Sequence, residues 1–191
     1  MFNKGIRMTD EEIYQYAHCF RNALVAARDD GRFDKDYCFY HFPRGCCGDT
    51  SCLLASFFLD YEIKTVLYYA SKSDYTHAWL VVNDNRIRKP RPTSYCFSKE
   101  VLQVMKGYCA DEPKAVINTT RYIKEDLSQG LLIDITGDQF GNYSKPVFVG
   151  YMDAFHSGFR FDEAHDFDGL HGYRLKELYK IVQEYIQYTS Y

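Results

Sequence analysis

Cys47, in Phe42-Pro43-Arg44-Gly45-Cys46-Cys47-Gly48-Asp49, is followed along the chain by His77, in Thr76-His77-Ala78-Trp79, and by Asp134, in Leu132-Ile133-Asp134-Ile135. These are the three groups that acyl transfer on a thiol requires. A thiolate attacks, an imidazole takes and returns the proton, and a carboxylate fixes the imidazole's tautomer. No other combination of residues in the sequence makes so coherent a claim on chemistry.

Cys47 is favoured over Cys46 as the nucleophile because of its place in a helix. Pro43 and Gly45 break the chain, and Asp49 and Thr50 are typical first-turn residues, so a helix is expected to begin around Cys47 to Asp49. A helix N-terminus offers free N–H groups and positive potential, both of which stabilise a thiolate. Helical spacing puts Cys47 with Thr50, Ser51, Leu54 and Phe58, the face expected to meet a sheet. Asp49 works against this, because a nearby carboxylate opposes thiolate formation.

His77 opens an apolar stretch and is expected at the end of a strand. Asp134 shares one face of its own strand with Leu132 and Thr136, where an ionised carboxylate is costly unless paired. The Nδ1–H of His77 on an adjacent strand is the expected partner; a cation such as Arg121 or Arg160 is the structural alternative. Asp138 follows Gly137 in an apparent turn and is expected to be solvated. The backbone N–H of Cys47 is one oxyanion donor. Gln139 and His41 are both candidates for a side-chain donor, with neither favoured.

The remaining cysteines read as structural thiols. Adjacent Cys46 and Cys47 cannot easily converge on one tetrahedral ion, and no paired C-x-x-C knuckles occur, so neither a metal nor another cofactor is expected. His156, His165 and His171 fall in a Gly/Asp/His-rich stretch expected to form a surface loop.

Elements that could position these groups are legible. Thr9 and Glu12 form a capping box ahead of a helix over 9–28, with Ile13, Ala17, Phe20 and Leu24 on one face. The Cys47 helix carries Leu53, Leu54, Phe57 and Phe58 inward and ends near Asp60. Strands are expected at 64–70, 77–82 and 131–136, with a further one at 147–151 and turns at 72–74 and 83–85. Residues 98–129 read as helical, and 174–188 as a final amphipathic helix. Helices first and an antiparallel sheet after them make an α+β protein. A single domain over 1–191 is expected, with a helical insertion at about 86–129.

Composition narrows the functional classes. An apolar fraction of 46% with 26% charged residues is ordinary for a globular protein that needs no disulfides or metal to build a core. A net charge of −3 supplies no basic field for nucleic acid or acidic membranes. No stretch reaches the length of a membrane span, and the first residues lack the apolar core of a secretory signal. Seven cysteines, an odd number, fit free thiols in a reducing cytoplasm. Signal-less secretion as an effector stays open.

Gly45-Cys46-Cys47-Gly48 resembles the Gly-x-Cys approach to the nucleophile helix of papain-like enzymes. His77-Ala78-Trp79-Leu80-Val81-Val82 with Leu132-Ile133-Asp134-Ile135-Thr136 is similar to the His-Ala-Trp and Asp-x-Thr segments of the transglutaminase-like branch. The resemblance implies a nucleophile helix packed on an antiparallel sheet, with Cys47, His77 and Asp134 in the triad roles and Trp79 and Gly48 as candidate substrate-wall residues. It departs from that branch in the long His-to-Asp connection, which carries the basic run Arg86-Ile87-Arg88-Lys89-Pro90-Arg91. It departs again at Gly48, where an aromatic residue commonly follows the nucleophile. The expected function is thiol-dependent acyl transfer on an amide of a protein or peptide: proteolysis, deamidation or transamidation. The alternative is a catalytically silent binding or regulatory domain on the same fold.

Overall fold

Thr9 begins the first helix as the sequence predicts. Its hydroxyl accepts from the Glu12 N–H, and Glu12 returns the bond to the Thr9 backbone, satisfying free donors at both ends of the box. Helix α1 (Asp10–Asp29) buries Ile13, Ala17, Phe20, Leu24 and Ala27 along one stripe. The computed structural model describes residues 8–82, 91–92, 120–121 and 127–186. A short turn of helix, α2 (Tyr37–Tyr40), leads to α3 (Cys47–Asp60), whose Leu53, Leu54, Phe57 and Phe58 point inward.

The chain then forms a hairpin of β1 (Thr65–Lys72) and β2 (Tyr75–Val82), in register from Thr65 opposite Val82 to Lys72 opposite Tyr75. Two short strands, β3 (Arg91–Pro92) and β4 (Thr120–Arg121), pair with each other. The helical insertion expected at about 86–129 lies almost wholly outside the described residues. Strand β5 (Leu132–Asp134) runs into a 3-10 turn at Gly137–Gln139, and β6 (Phe148–Gly150) follows. A one-turn helix, α4 (Ala154–Ser157), strand β7 (Arg160–Asp166) and helix α5 (Tyr173–Tyr185) complete the fold.

The main sheet is antiparallel in the order β6-β5-β2-β1-β7. Helices α1, α3 and α5 cover one face, where Phe20, Leu24, Leu54, Phe58, Leu80, Ile133 and Val182 share a core. The opposite face carries a second core of Tyr68, Trp79, Val81, Leu132 and Phe159. This is an α+β arrangement. Strand β7 replaces the surface loop expected there. Its Phe161 and Ala164 pack against the sheet while Arg160, Asp162 and Glu163 stay exposed; a register shift at Asp162 breaks the strict alternation, and the segment's charge and histidines mask what remains. Among the described residues no helix is long and apolar enough to cross a membrane.

Candidate functional site

Pairing between β2 and β5 covers Leu80 and Val81, with the Val82 N–H donating to the Leu131 carbonyl, and stops short of Ala78. Beyond that point the edge of β2 faces the first turn of α3. A strand residue directs its N–H and C=O to the same side, and those of Ala78 meet the helix. The Ala78 carbonyl accepts from Ser51 Oγ at 3.2 Å, and its N–H is directed at the Cys47 thiol. The helix start is therefore stitched to the strand that carries His77, through residues of the face predicted to meet the sheet.

Cys47 is the first residue of α3, and Cys46 is its N-cap. Their environments differ sharply. Cys46 is buried, and desolvation, with the neighbouring negative groups, pushes its thiol up to about 12. Burial also raises Cys47, but the His77 imidazole and the N–H groups of Ala78 and Gly48 outweigh it, so the Cys47 thiol lies below its ordinary value. Asp49 is not left as a bare charge beside the thiol. Arg174 of α5 grips it at 2.7 Å and holds Asp36 with its other nitrogens.

The imidazole is oriented from behind. His77 Nε2 lies 2.8 Å from Asp134 Oδ2, and neither side chain has any exposed surface. The expected Nδ1–H contact is thus replaced by Nε2, because the ring reaches Asp134 with its far edge and leaves Nδ1 to face the cleft. Nδ1 is also 3.3 Å from Gln139 Nε2, a donor, which fits the tautomer protonated on Nε2 and ready to accept at Nδ1. Burial pulls the imidazolium down, yet the adjacent Asp134 charge and its hydrogen bond prevail, and His77 rises to about 9. Asp134 Oδ1 accepts from the Thr136 N–H at 2.8 Å and the Thr136 hydroxyl at 3.2 Å. Burial pushes the carboxyl up, but the charge and hydrogen bonds of His77 and His156 prevail and hold it well below its ordinary range.

Cys47, Gly48 and His77 line one cleft of about 270 Å³, with Gly45, Tyr69 and Thr76. A larger depression of about 400 Å³, at Ser71, Lys72, Ser73, Gly158 and Arg160, sits at the exposed hairpin tip. Its Ser71 hydroxyl is already committed to Asp162, so the smaller cleft is the chemically equipped one.

Several expected roles change. Trp79 is not a substrate wall: it is 1% exposed and stacks on Tyr68 at 4.6 Å, on the face of the sheet away from α3. Gly48 does line the cleft, where an added Cβ would meet the Tyr69 ring at an ordinary 3.7 Å. His41 caps α2, is exposed, and packs its ring on Tyr37 and Tyr40 rather than in the cleft. Gln139 stands beside His77, but its amide nitrogen is occupied by Thr136 O at 3.0 Å and His77 Nδ1, and its oxygen accepts from the Gly45 N–H. It braces the imidazole and the loop before Cys47 instead of offering a free oxyanion donor. Asp138 is not simply solvated. It pairs at 2.7 Å with the buried Arg21, which also donates to the Ile135 carbonyl and so pins the end of β5. Arg160, the alternative partner for Asp134, is instead an exposed group bound to Ser71 and Asp162. The side chain of Arg121 lies outside the described residues.

His156 is the participant that sequence reasoning missed. It is fully buried, with Nε2 3.1 Å from Asp134 Oδ2 and Nδ1 2.7 Å from Asp153 Oδ1. His77, Asp134 and His156 each offer a ligand atom within 4.8 Å of the others, a spacing that could hold a cation. At 2.8 and 3.1 Å from the shared oxygen, however, both rings sit at hydrogen-bond distance, so protons satisfy the group. Comparison of the chain with family models, curated proteins and solved structures returned no match.

Proposed function

We propose that this protein carries out thiol-dependent acyl transfer on an amide, with Cys47 as nucleophile, His77 as general base and acid, and Asp134 as orienting carboxylate. The observation that carries the reading is the shared cleft of Cys47 and His77, with the far nitrogen of His77 2.8 Å from a fully buried Asp134. A helix start meeting the end of an antiparallel sheet also fits the papain-like, transglutaminase-like arrangement that the three sequence segments resemble.

His77 Nδ1 takes the thiol proton, and the thiolate is held by the N–H groups of Gly48 and Ala78. Sulfur attacks the amide carbonyl, and the developing oxyanion lies near the Cys47 N–H, a free donor at the first position of α3. The imidazolium then gives its proton to the departing amine, leaving a thioester. Water or an amine, deprotonated by His77, resolves the thioester and restores the thiol. A protein or peptide amide is the proposed substrate class.

The test is iodoacetamide labelling near neutral pH, read by peptide mapping, followed by intact-mass analysis after incubation with peptides and an amine donor. Selective modification of Cys47, and a mass change of cleavage, deamidation or amine incorporation that Cys47→Ala abolishes, is the expected result. Equally slow labelling of every thiol would favour a silent binding domain.

A further inference from the structure

The carboxylate of Asp134 does not serve His77 alone. Its Oδ2 accepts from His77 Nε2 at 2.8 Å and faces His156 Nε2 at 3.1 Å, while its Oδ1 is filled by Thr136. His156 in turn places Nδ1 2.7 Å from Asp153 Oδ1, and Asp153 Oδ2 accepts from the Tyr143 hydroxyl at 3.1 Å. Both ring nitrogens of His156 thus point at carboxylate oxygens. A nitrogen and an oxygen approach that closely only with a proton between them. A neutral imidazole has one such proton, and this geometry uses two.

We infer that His156 is a positioning residue that donates from both ring nitrogens, bridging Asp134 and Asp153 as a buried cation that shares the Asp134 carboxylate with His77. The catalytic half of this inference rests on the acyl-transfer reading; the state of the ring does not. Both carboxyls are held below their ordinary range: burial opposes this, but the hydrogen bonds and charge around each prevail. The protons therefore belong to the ring. The site then holds Asp134 and Asp153 opposite His77 and His156, with Tyr143 and Cys47 the other titratable groups facing them. Phe148, Phe155 and Trp79 pack around the His156 ring and exclude water.

This changes what Asp134 does to His77. A carboxylate alone would stabilise the His77 imidazolium strongly and make it reluctant to give up its proton. A second cation on the same oxygen tempers that effect. It also fixes the side-chain angle of Asp134 from the side opposite His77. The ring centroids of His77 and His156 are 6.4 Å apart. At that separation and an effective dielectric near 20, one unit charge shifts its neighbour's titration by about two pH units; about one is expected after relaxation.

The experiment uses ¹⁵N-labelled full-length protein and follows the histidine rings by NMR. At neutral pH His156 should show two protonated ring nitrogens, both protected from exchange. In His156→Gln, which keeps a donor near Asp134 without the charge, His77 should titrate about one pH unit higher than in the parent. Asp153→Asn keeps a good N-cap for α4, leaves Asp134 untouched, and should move His77 in the same direction. A role in packing alone would leave the His77 titration unchanged or lower it, since a misplaced Asp134 stabilises the imidazolium less. A neutral His156 ring with one N–H, or a His77 titration unmoved or lowered in folded His156→Gln and Asp153→Asn, would overturn the inference. Alkylation of Cys47 in the parent, measured on the same sample, tests the acyl-transfer reading separately.

Discussion

Asp134→Asn separates the triad from a merely structural carboxylate. The substitution preserves shape but exchanges an acceptor for a donor, and every neighbour of Asp134 is itself a donor. If the new amide group replaces Oδ1 it meets the Thr136 N–H; if it replaces Oδ2 it meets His77 Nε2 and His156 Nε2. The second placement forces His77 to carry its proton on Nδ1, the tautomer that cannot accept from Cys47. In the first, the Asp134 charge that does most to lift His77 from 6.5 to about 9 is still gone, and only the Cys47 sulfur is left to oppose burial. A loss of about 2.5 pH units corresponds to about 3 kcal/mol, or a few hundred-fold in the thiolate–imidazolium pair. Alkylation of Cys47 below neutral pH should slow by that order, with the same fold-loss in any acyl transfer. Thermal stability should fall by about 1–3 kcal/mol, the range for perturbing one buried hydrogen-bonded group. Alkylation rates normalised to the folded fraction, measured beside thermal melts, read both. A pH–rate profile unchanged in folded Asp134→Asn would refute the orienting role.

Cys47→Ala should abolish labelling and activity in a folded protein. Cys46→Ala should keep both at a cost of about 1 kcal/mol from the lost buried sulfur, because a thiol pushed up to about 12 contributes no thiolate near neutrality. The His77–Asp134 pair should also shape stability against pH. The imidazole is raised from 6.5 to about 9, so its contribution is complete below 6.5 and lost as pH climbs through 9. Melting temperature should decline over that window in the parent and less so in His77→Gln. Asp134, depressed from 3.8, adds stability above that value which acid removes. Gly137→Ala should lower the melting temperature by the equivalent of about 1–3 kcal/mol and slow Cys47 alkylation. Its Cβ would stand 2.7 Å from Asp134 Oδ2 and 2.8 Å from the Tyr143 ring, whereas Gly141→Ala, with nothing within 4 Å, should be silent.

The elements that place the site were legible because their signals are local. The capping box of α1, the inward stripe of α3 and the apolar runs of β1 and β2 each need only a few neighbouring residues to be recognised. The start of α3 was legible for the same reason, and with it the contrast between Cys46 outside the helix and Cys47 inside. Orientation within the site was not. The choice of Nε2 over Nδ1 and the diversion of Gln139 to Thr136 and Gly45 depend on where β2 and β5 stop pairing, and the burial of Trp79 depends on Tyr68 and Phe159 covering its face of the sheet. No local pattern encodes that.

His156 shows how a buried charge network escapes a reading by composition. Its segment, Asp153-Ala154-Phe155-His156, lies in a stretch rich in Gly, Asp and His, which taken as a whole reads as solvated. Two local signals point the other way. Asp153 is an N-cap whose side chain accepts from the His156 N–H, three residues on, and this short turn aims the imidazole back across the chain. The histidine is also flanked by Phe155 and Phe159, whose rings need a core, and a polar residue among core-seeking aromatics must find partners there. A buried carboxylate such as Asp134 demands at least one cation or donor, and His77 meets that demand. Oδ2 has capacity for two, and the second donor is the polar residue that neighbouring aromatic rings draw into the core, His156.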